Sequence, residues 1–191
     1  QTVLVTGASG GVGLALLELA RLAAVHAIGA ARRDKHDGLR ALGATPIEGR
    51  TAPVDRGSLE VRPDGVDAAF DGLGGAFVGQ CVRATRRGGI VVAYGFTGAV
   101  GSNLAALRGI LALYLGAPLR GRRSTFYGIT QIYRKDPAPF REDLAILMGL
   151  LAEGRVRPRI AERMPLADAR RANELLERGG VDGKIVLVAD A

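Results

Sequence analysis

The sequence predicts an α/β fold, a doubly wound parallel sheet of about six strands with helices on both faces, followed by a C-terminal helical segment and a final strand. Three observations carry this. The apolar run Val3-Leu4-Val5 ends in Thr6-Gly7 and passes through a glycine turn into apolar residues at helical spacing, Leu14, Leu16, Leu17, Leu19, Ala20, Leu22 and Ala23. The same order returns at Val66-Asp67-Ala68-Ala69-Phe70-Asp71, the turn Gly72-Leu73-Gly74-Gly75 and a helix over 76–86. Strands and helices then keep alternating, which implies parallel pairing through right-handed crossovers.

Taken in order, the second strand spans 26–30 and leads through a polar turn into a helix ending near Leu42-Gly43-Ala44, with Gly43 as C-cap. Thr45-Pro46-Ile47 offers a weak third strand. Residues 48–65 hold Pro53, Pro63 and three glycines, so a loose crossover with at most a short helix is expected there. A strand over 89–95 follows the 76–86 helix. Beyond it come a helix near 103–115, a strand over 124–129, helices over 140–153 and 166–178, and a last strand over 184–188. Lys135-Asp136-Pro137-Ala138-Pro139 is the best linker, dividing a dinucleotide-fold portion (1–135) from a C-terminal portion (136–191).

Composition narrows the classes. With 48% hydrophobic residues and 28 glycines in 191, the chain can bury a core and is read as soluble and globular. One cysteine, Cys81, cannot form an internal disulfide, and with only His26 and His36 beside it no zinc site is expected. Cys81 itself reads as a small buried thiol on a helix, in a reducing cytoplasm. The apolar run 109–119 lies between Arg108 and Arg120 and is about half the ~20 residues a membrane span needs. The opening residues run straight into a strand without a basic segment ahead, so no secretory signal is expected. The net charge of +7 comes from scattered arginines. With five Phe, four Tyr and no basic-aromatic interleaving, nucleic acid is a poor partner.

The segment Val5-Thr6-Gly7-Ala8-Ser9-Gly10-Gly11-Val12-Gly13 sits between strand and helix, where backbone N–H groups and the helix dipole bind a pyrophosphate. Ala8, Gly10 and Gly13 occupy the three places of the G-x-G-x-x-G fingerprint. A bare Gly10 lets phosphate approach the backbone, and Gly13 lets helix and strand pack closely. The same letters also fit the turn of short-chain dehydrogenases through Thr6, Gly7, Gly11 and Gly13. Those enzymes need a Tyr-x-x-x-Lys pair, in which the lysine lowers the phenol's pKa. Four positions past Tyr94, Tyr114, Tyr127 and Tyr133 stand Gly98, Pro118, Gln131 and Pro137, so that class fails.

About twenty residues past the glycines, an acidic side chain would favour NAD and an arginine the extra phosphate of NADP. Here stand Ala30-Ala31-Arg32-Arg33-Asp34-Lys35, which favours NADPH over NADH. In a shifted register Asp34 would take the ribose instead.

In the order of these signals the chain resembles the medium-chain dehydrogenase/reductase superfamily, in particular its zinc-independent quinone oxidoreductase branch. The resemblance rests on residues 5–13, Leu-Gly-Ala at 42–44, Gly-Val-Asp-Ala-Ala-Phe-Asp-Gly-Leu-Gly-Gly at 65–75 and Gly-Gly-Ile-Val-Val-Ala-Tyr-Gly at 88–95. It continues through Leu-Leu-Ala-Glu-Gly-Arg-Val-Arg-Pro at 150–158, Pro-Leu-Ala-Asp-Ala-Arg-Arg-Ala at 165–172 and Gly-Lys-Ile-Val-Leu at 183–187. It implies a cofactor laid over the C-terminal ends of the strands. The residues touching it would be Ala8, Ser9, Gly10, Gly11, Val12, Gly13, Arg32, Arg33, Lys35, Gly72, Leu73, Gly74, Tyr94, Gly95 and Phe96. Arg32-Arg33 departs from the small or polar residues usual there.

The implied reaction is hydride transfer from NADPH to a quinone or to the β-carbon of an α,β-unsaturated carbonyl. No side chain presents itself as a catalytic acid or nucleophile, as expected where catalysis is mainly orientation of cofactor and small-molecule substrate. Two alternatives stand beside it: the enoyl-reductase domain of a polyketide or fatty-acid synthase, and a non-catalytic nucleotide- or nucleic-acid-binding module. Family members begin with a catalytic, barrel-like domain, and nothing here precedes the first strand, so an excised domain or remnant, inactive or poorly active alone, is expected. Residues 140–188 would then present an apolar face (Leu144, Leu147, Leu151, Leu175, Leu176, Ile185, Leu187) to that missing domain, to the sheet domain, or to a second copy in a homodimer.

Overall fold

The main sheet is built around central strands that bury both faces. In a computed structural model describing residues 1–97, 101–179, 181 and 183–189, six strands run parallel. They are β1 (Thr2–Thr6), β2 (His26–Ala31), β3 (Thr45–Glu48), β4 (Val66–Asp71), β5 (Thr85–Ala93) and β6 (Arg123–Phe126), in the order β3-β2-β1-β4-β5-β6. Successive residues of a strand point to opposite faces. Accordingly Leu4, Ile28 and Ala30 enter one apolar cluster with Val54, Val78, Cys81 and Val91. Val5, Ala27 and Ala31 enter the other, with Leu17, Leu39 and Ala44. Each fully buried Leu, Ile or Val contributes ~1.5–3 kcal/mol.

Helices α1 (Gly11–Leu22) and α2 (His36–Ala41) supply the second cluster, while α3 (Val54–Val61) and α4 (Ala76–Ala84) supply the first. The chain winds outward from β1 to β3, then crosses back to β4 and winds the other way. That reversal opens a crevice beyond the C-terminal ends of β1 and β4, where such sheets take ligands.

Helix α5 (Asn103–Leu111) is N-capped by Ser102, whose Oγ accepts from the amide of Ala105 at 3.3 Å. It runs through a π-helical turn (Ala112–Gly116) into α6 (Ala117–Leu119). After β6 come α7 (Ile129–Lys135), α8 (Ala138–Ala152) and α9 (Ala169–Arg178), with β7 (Ile160–Pro165) and β8 (Lys184–Val188) forming a separate two-stranded parallel sheet. Among the described residues no helix is long and apolar enough to cross a membrane.

The short helix allowed within 48–65 is α3, held because Val54 is buried and its amide donates to Gln80 Oε1 of α4 at 2.6 Å, while Arg83 Nε meets Asp55 Oδ2 at 2.5 Å. Three local expectations are revised. Helix α4 stops at Ala84 rather than 86, since Thr85 already pairs with Val66 and its hydroxyl donates to the Cys81 carbonyl at 2.7 Å. The strand expected to reach 129 ends at Phe126, and Ile129 opens α7. Strand β7, unforeseen, pairs with β8 along Glu162, Arg163 and Met164.

The C-terminal segment returns to α1. The amide of Arg157 donates to Glu18 Oε1 at 3.1 Å, and Val156 is buried. A cavity of about 180 Å³ lies at this seam between Leu14, Ala15, Leu42 and Pro158. Helix α8 buries none of its residues, and Leu144, Leu147, Leu151, Leu176 and Leu187 stand exposed.

Cys81 is fully buried, and burial pushes its thiol well above the usual range, with Asp71 and Asp55 adding to the rise. Only the thiolate is nucleophilic. A thiol reagent is therefore expected to label this chain only after denaturant is added. Rapid stoichiometric labelling in native buffer would contradict that packing.

Candidate cofactor-binding site

The turn after β1 is shaped by two glycines. Gly7 adopts φ +61°, a conformation unfavourable to other L-residues, and its carbonyl accepts from the amide of Gly10 at 2.9 Å. A Cβ on Gly13 would overlap that same carbonyl oxygen and stand 2.7 Å from Ala8 Cα. Helix α1 is thus seated directly on the turn. Gly10 is its N-cap and offers no side chain to satisfy the first amides. Those amides, with the positive end of the helix dipole, suit an anion.

Residues 9–13 line a cleft of about 610 Å³, and Val12 is 55% exposed along it. Lys184 of β8 lies against Gly11, its Nζ 2.6 Å from where a Cβ would be, and lines the cavity at the α1 seam.

The opposite wall is set by a buried carboxylate. Asp71, 0% exposed at the end of β4, accepts from the Thr6 hydroxyl at 2.5 Å and from the amides of Leu73 and Gly74 at 3.2 and 2.9 Å. The Thr6 hydroxyl in turn accepts from the amide of Gly72 at 3.2 Å. Burial raises the Asp71 carboxyl above the ordinary range, although all three hydrogen bonds pull it down. The following loop is packed backbone to backbone on the end of β5. A Cβ on Gly95 would overlap the Gly72 carbonyl, and one on Gly72 would sit 2.8 Å from the Tyr94 ring. Burial, with Asp71 nearby, pushes the Tyr94 phenol up to about 12, so it stays protonated at neutral pH and is no general base.

The cationic flank comes from the ends of β2 and β3. Arg32 and Lys35 line the cleft, Arg32 held by Asp34 at 2.7 Å. Arg33 turns outward, with Glu48 at 3.6 Å, and lines a separate groove over the β3 edge.

Of the expected contacts, the structure therefore brings Ser9, Gly10, Gly11, Val12, Gly13, Arg32, Lys35, Gly72, Leu73 and Tyr94 around one cleft. Ala8 is buried in the core instead. Gly74, Gly95 and Phe96 line a neighbouring apolar pocket of about 380 Å³, where Phe96 stacks on Phe126 at 4.8 Å.

Sequence reasoning missed Thr6, Arg50, Thr97 and, from the C-terminal segment, Leu176, Gly179, Val181 and Gly183. An aspartate closing a strand before Gly-Leu-Gly is a side-chain turn signal that could have flagged Asp71. Nothing local marks Arg50. Among the described residues no group of three His, Cys, Asp or Glu side chains is placed to hold a metal.

Comparison with known proteins agrees with this geometry. A family profile described as zinc-binding dehydrogenase matches residues 42–187. The chain is 35% identical over 98 residues to prostaglandin reductase-3 of Mus musculus, covering 50% of this chain and 26% of that protein. It is 30% identical over 190 residues to the spectinabilin polyketide synthase system protein NorB of Streptomyces orinoci, covering 98% of this chain and 8% of NorB. Among solved structures it is similar to the quinone oxidoreductase of Coxiella burnetii, with a TM-score of 0.75 and 27% identity, covering 99% of this chain and 53% of that one. The chain thus spans about a quarter of the mouse protein, a small part of NorB and about half of the Coxiella chain.

Proposed function

Because the chain belongs to the zinc-binding dehydrogenase family, within the medium-chain dehydrogenase/reductase superfamily, we propose that it is the NADPH-binding domain of an oxidoreductase whose acceptor is a quinone or an α,β-unsaturated carbonyl. The observation that carries this reading is the single cleft joining an uncapped helix N-terminus, a glycine turn and Arg32. The chemistry NADPH supplies when bound is a hydride for the acceptor.

This chain's residues bind and orient. The amides opening α1 take the pyrophosphate, Arg32 and Lys35 offer charge to the adenosine end, and the loop from Gly72 to Gly74, pinned by Asp71, walls the other end beside Tyr94 and Thr97. Binding and positioning by a preorganised wall is how such a domain contributes to rate. The exposed apolar residues of α8 suit cover by a second, substrate-holding domain or by another copy in a homodimer. A reducing cytoplasm suits the free, buried Cys81.

The likeness to NorB along 98% of this chain favours a second reading, an enoyl-reductase domain within a polyketide synthase. Coding sequence flanking this segment decides between them: neighbouring acyl-carrier or ketosynthase domains would narrow the acceptor to an enoyl thioester.

The cofactor reading is tested by calorimetric titration with NADPH and NADH. NADPH is expected to bind more tightly, and Arg32→Ala to reduce the preference by roughly 10-fold, the value of one charge-assisted phosphate contact at its low end. Tighter binding of NADH would reject NADPH in favour of a ribose-reading site at Asp34, and equal affinity would mean that no residue of the cleft reads the 2′-phosphate.

A further inference from the structure

We infer that Arg50, on the loop after β3, is the principal reader of the cofactor's 2′-phosphate and sets the preference for NADPH; the inference rests on the nucleotide-binding reading of the cleft.

Three cations, Arg32, Lys35 and Arg50, line the cleft on the side of β2 and β3, away from the amides at residues 10–13 that suit the pyrophosphate. An anion recognised there belongs to the adenosine end of a dinucleotide. The three differ in what they have to give. Arg32 is committed to Asp34 at 2.7 Å, which offsets its charge. Lys35 is a point charge without the planar fork that grips a phosphate through two parallel bonds. Among the described residues the Arg50 guanidinium has neither an ion pair nor a hydrogen bond, while its backbone is fixed.

That fixing is specific. Glu48 Oε1 accepts from the amides of Arg50 and Thr51 at 2.8 and 3.3 Å, tying the turn to the end of β3. The amide of Gly49 donates to the Ala31 carbonyl at 2.9 Å, and a Cβ on Gly49 would stand 2.7 Å from the Ala31 nitrogen. Position 49 therefore cannot carry a side chain without displacing the end of β2, and the close approach sets residue 50 beside Arg32. The same Glu48 carboxylate group faces Arg33 at 3.6 Å on the outer side. The hydrogen bond from Arg50 is the largest of the influences that hold Glu48 below the ordinary carboxylate range, consistent with a charged anchor at neutral pH. The preorganised loop spares the cost of ordering the backbone, so that only the freedom of the Arg50 side chain is lost on binding.

The test compares the unaltered chain with Arg50→Ala and Arg50→Lys by titration with NADPH and NADH, with thermal melting to monitor folding. Arg50→Ala is expected to weaken NADPH by ~10–100-fold, the range for a charge-assisted, bidentate phosphate contact. NADH affinity and melting should be unaltered, and Arg50→Lys should fall between. Equal loss for both nucleotides would overturn the inference, placing Arg50 on the adenine face instead. No loss for either would overturn it too, leaving Arg32 as reader. If the unaltered chain bound neither nucleotide, the nucleotide reading of the cleft would itself have failed, an outcome distinct from the other two.

Discussion

Gly13→Val is expected to abolish binding of either nicotinamide nucleotide and to destabilise the chain by roughly 3 kcal/mol, the upper part of the usual range for overpacking. For a domain of this size that corresponds to a fall of about 6–12 °C in the melting midpoint. Any Cβ at this position meets the Gly7 carbonyl oxygen and the backbone of Ala8, so no rotamer relieves the clash. Helix α1 must lift from the turn, which pulls its first amides away from the cleft. Valine would otherwise be tolerated: replacing glycine inside a helix gains a few tenths of a kcal/mol of propensity, far too little to offset the overlap. Val12→Ala, one position earlier and facing solvent at 55% exposure, is the control and should leave stability nearly unchanged. Melting curves with nucleotide titrations check both, and a Gly13→Val chain that binds normally would show that α1 is not seated on the turn.

How far such features are legible in sequence depends on whether their cause is local. The β1 turn and α1 are legible because the glycines and the strand and helix periods lie within one short segment. Helix α3 is legible only as an unplaced short helix, since Gly57 and Ser58 weaken its propensity and its N-terminus is held by Gln80 from a different helix. Strand β7 carries Glu162 and Arg163 and bears no apolar alternation, so only its pairing with β8 reveals it. In the site, the basic run 32–35 announces a phosphate-reading flank, but a difference of one residue decides that Arg32 enters the cleft and Arg33 meets Glu48 outside it. Arg50 lies in a Pro- and Gly-bearing loop whose position follows from Gly49 packing on β2, a tertiary fact with no local signature. Family resemblance supplied the wall from Gly72 to Tyr94, and the structure adds the Asp71 network that holds it.

That network supports the second large effect. Asp71→Ala is expected to destabilise the chain by about 3 kcal/mol or more, because it strands the Thr6 hydroxyl and the amides of Leu73 and Gly74, at ~1–3 kcal/mol for each buried unsatisfied group. The loop they hold walls the cleft, so nucleotide affinity should fall together with stability. The pH dependence separates charge from hydrogen bonding. Burial raises the folded-state pKa of Asp71, so the folded chain holds this proton more tightly than the unfolded one. Its contribution is therefore most favourable below the ordinary carboxylate pKa and is lost as pH rises through the raised value. Glu48 and Asp67, both lowered, act oppositely: their stabilisation is present above the ordinary range and lost as pH falls through their depressed values. Asp71→Asn keeps an oxygen acceptor but cannot ionise. Between near-neutral and mildly acidic buffer, denaturant midpoints should accordingly shift in favour of the unaltered chain relative to Asp71→Asn, since only the former gains by taking up the proton. A difference between the two that is constant across that range would mean that burial does not penalise the ionised carboxylate, and that Asp71 acts through its acceptor geometry alone.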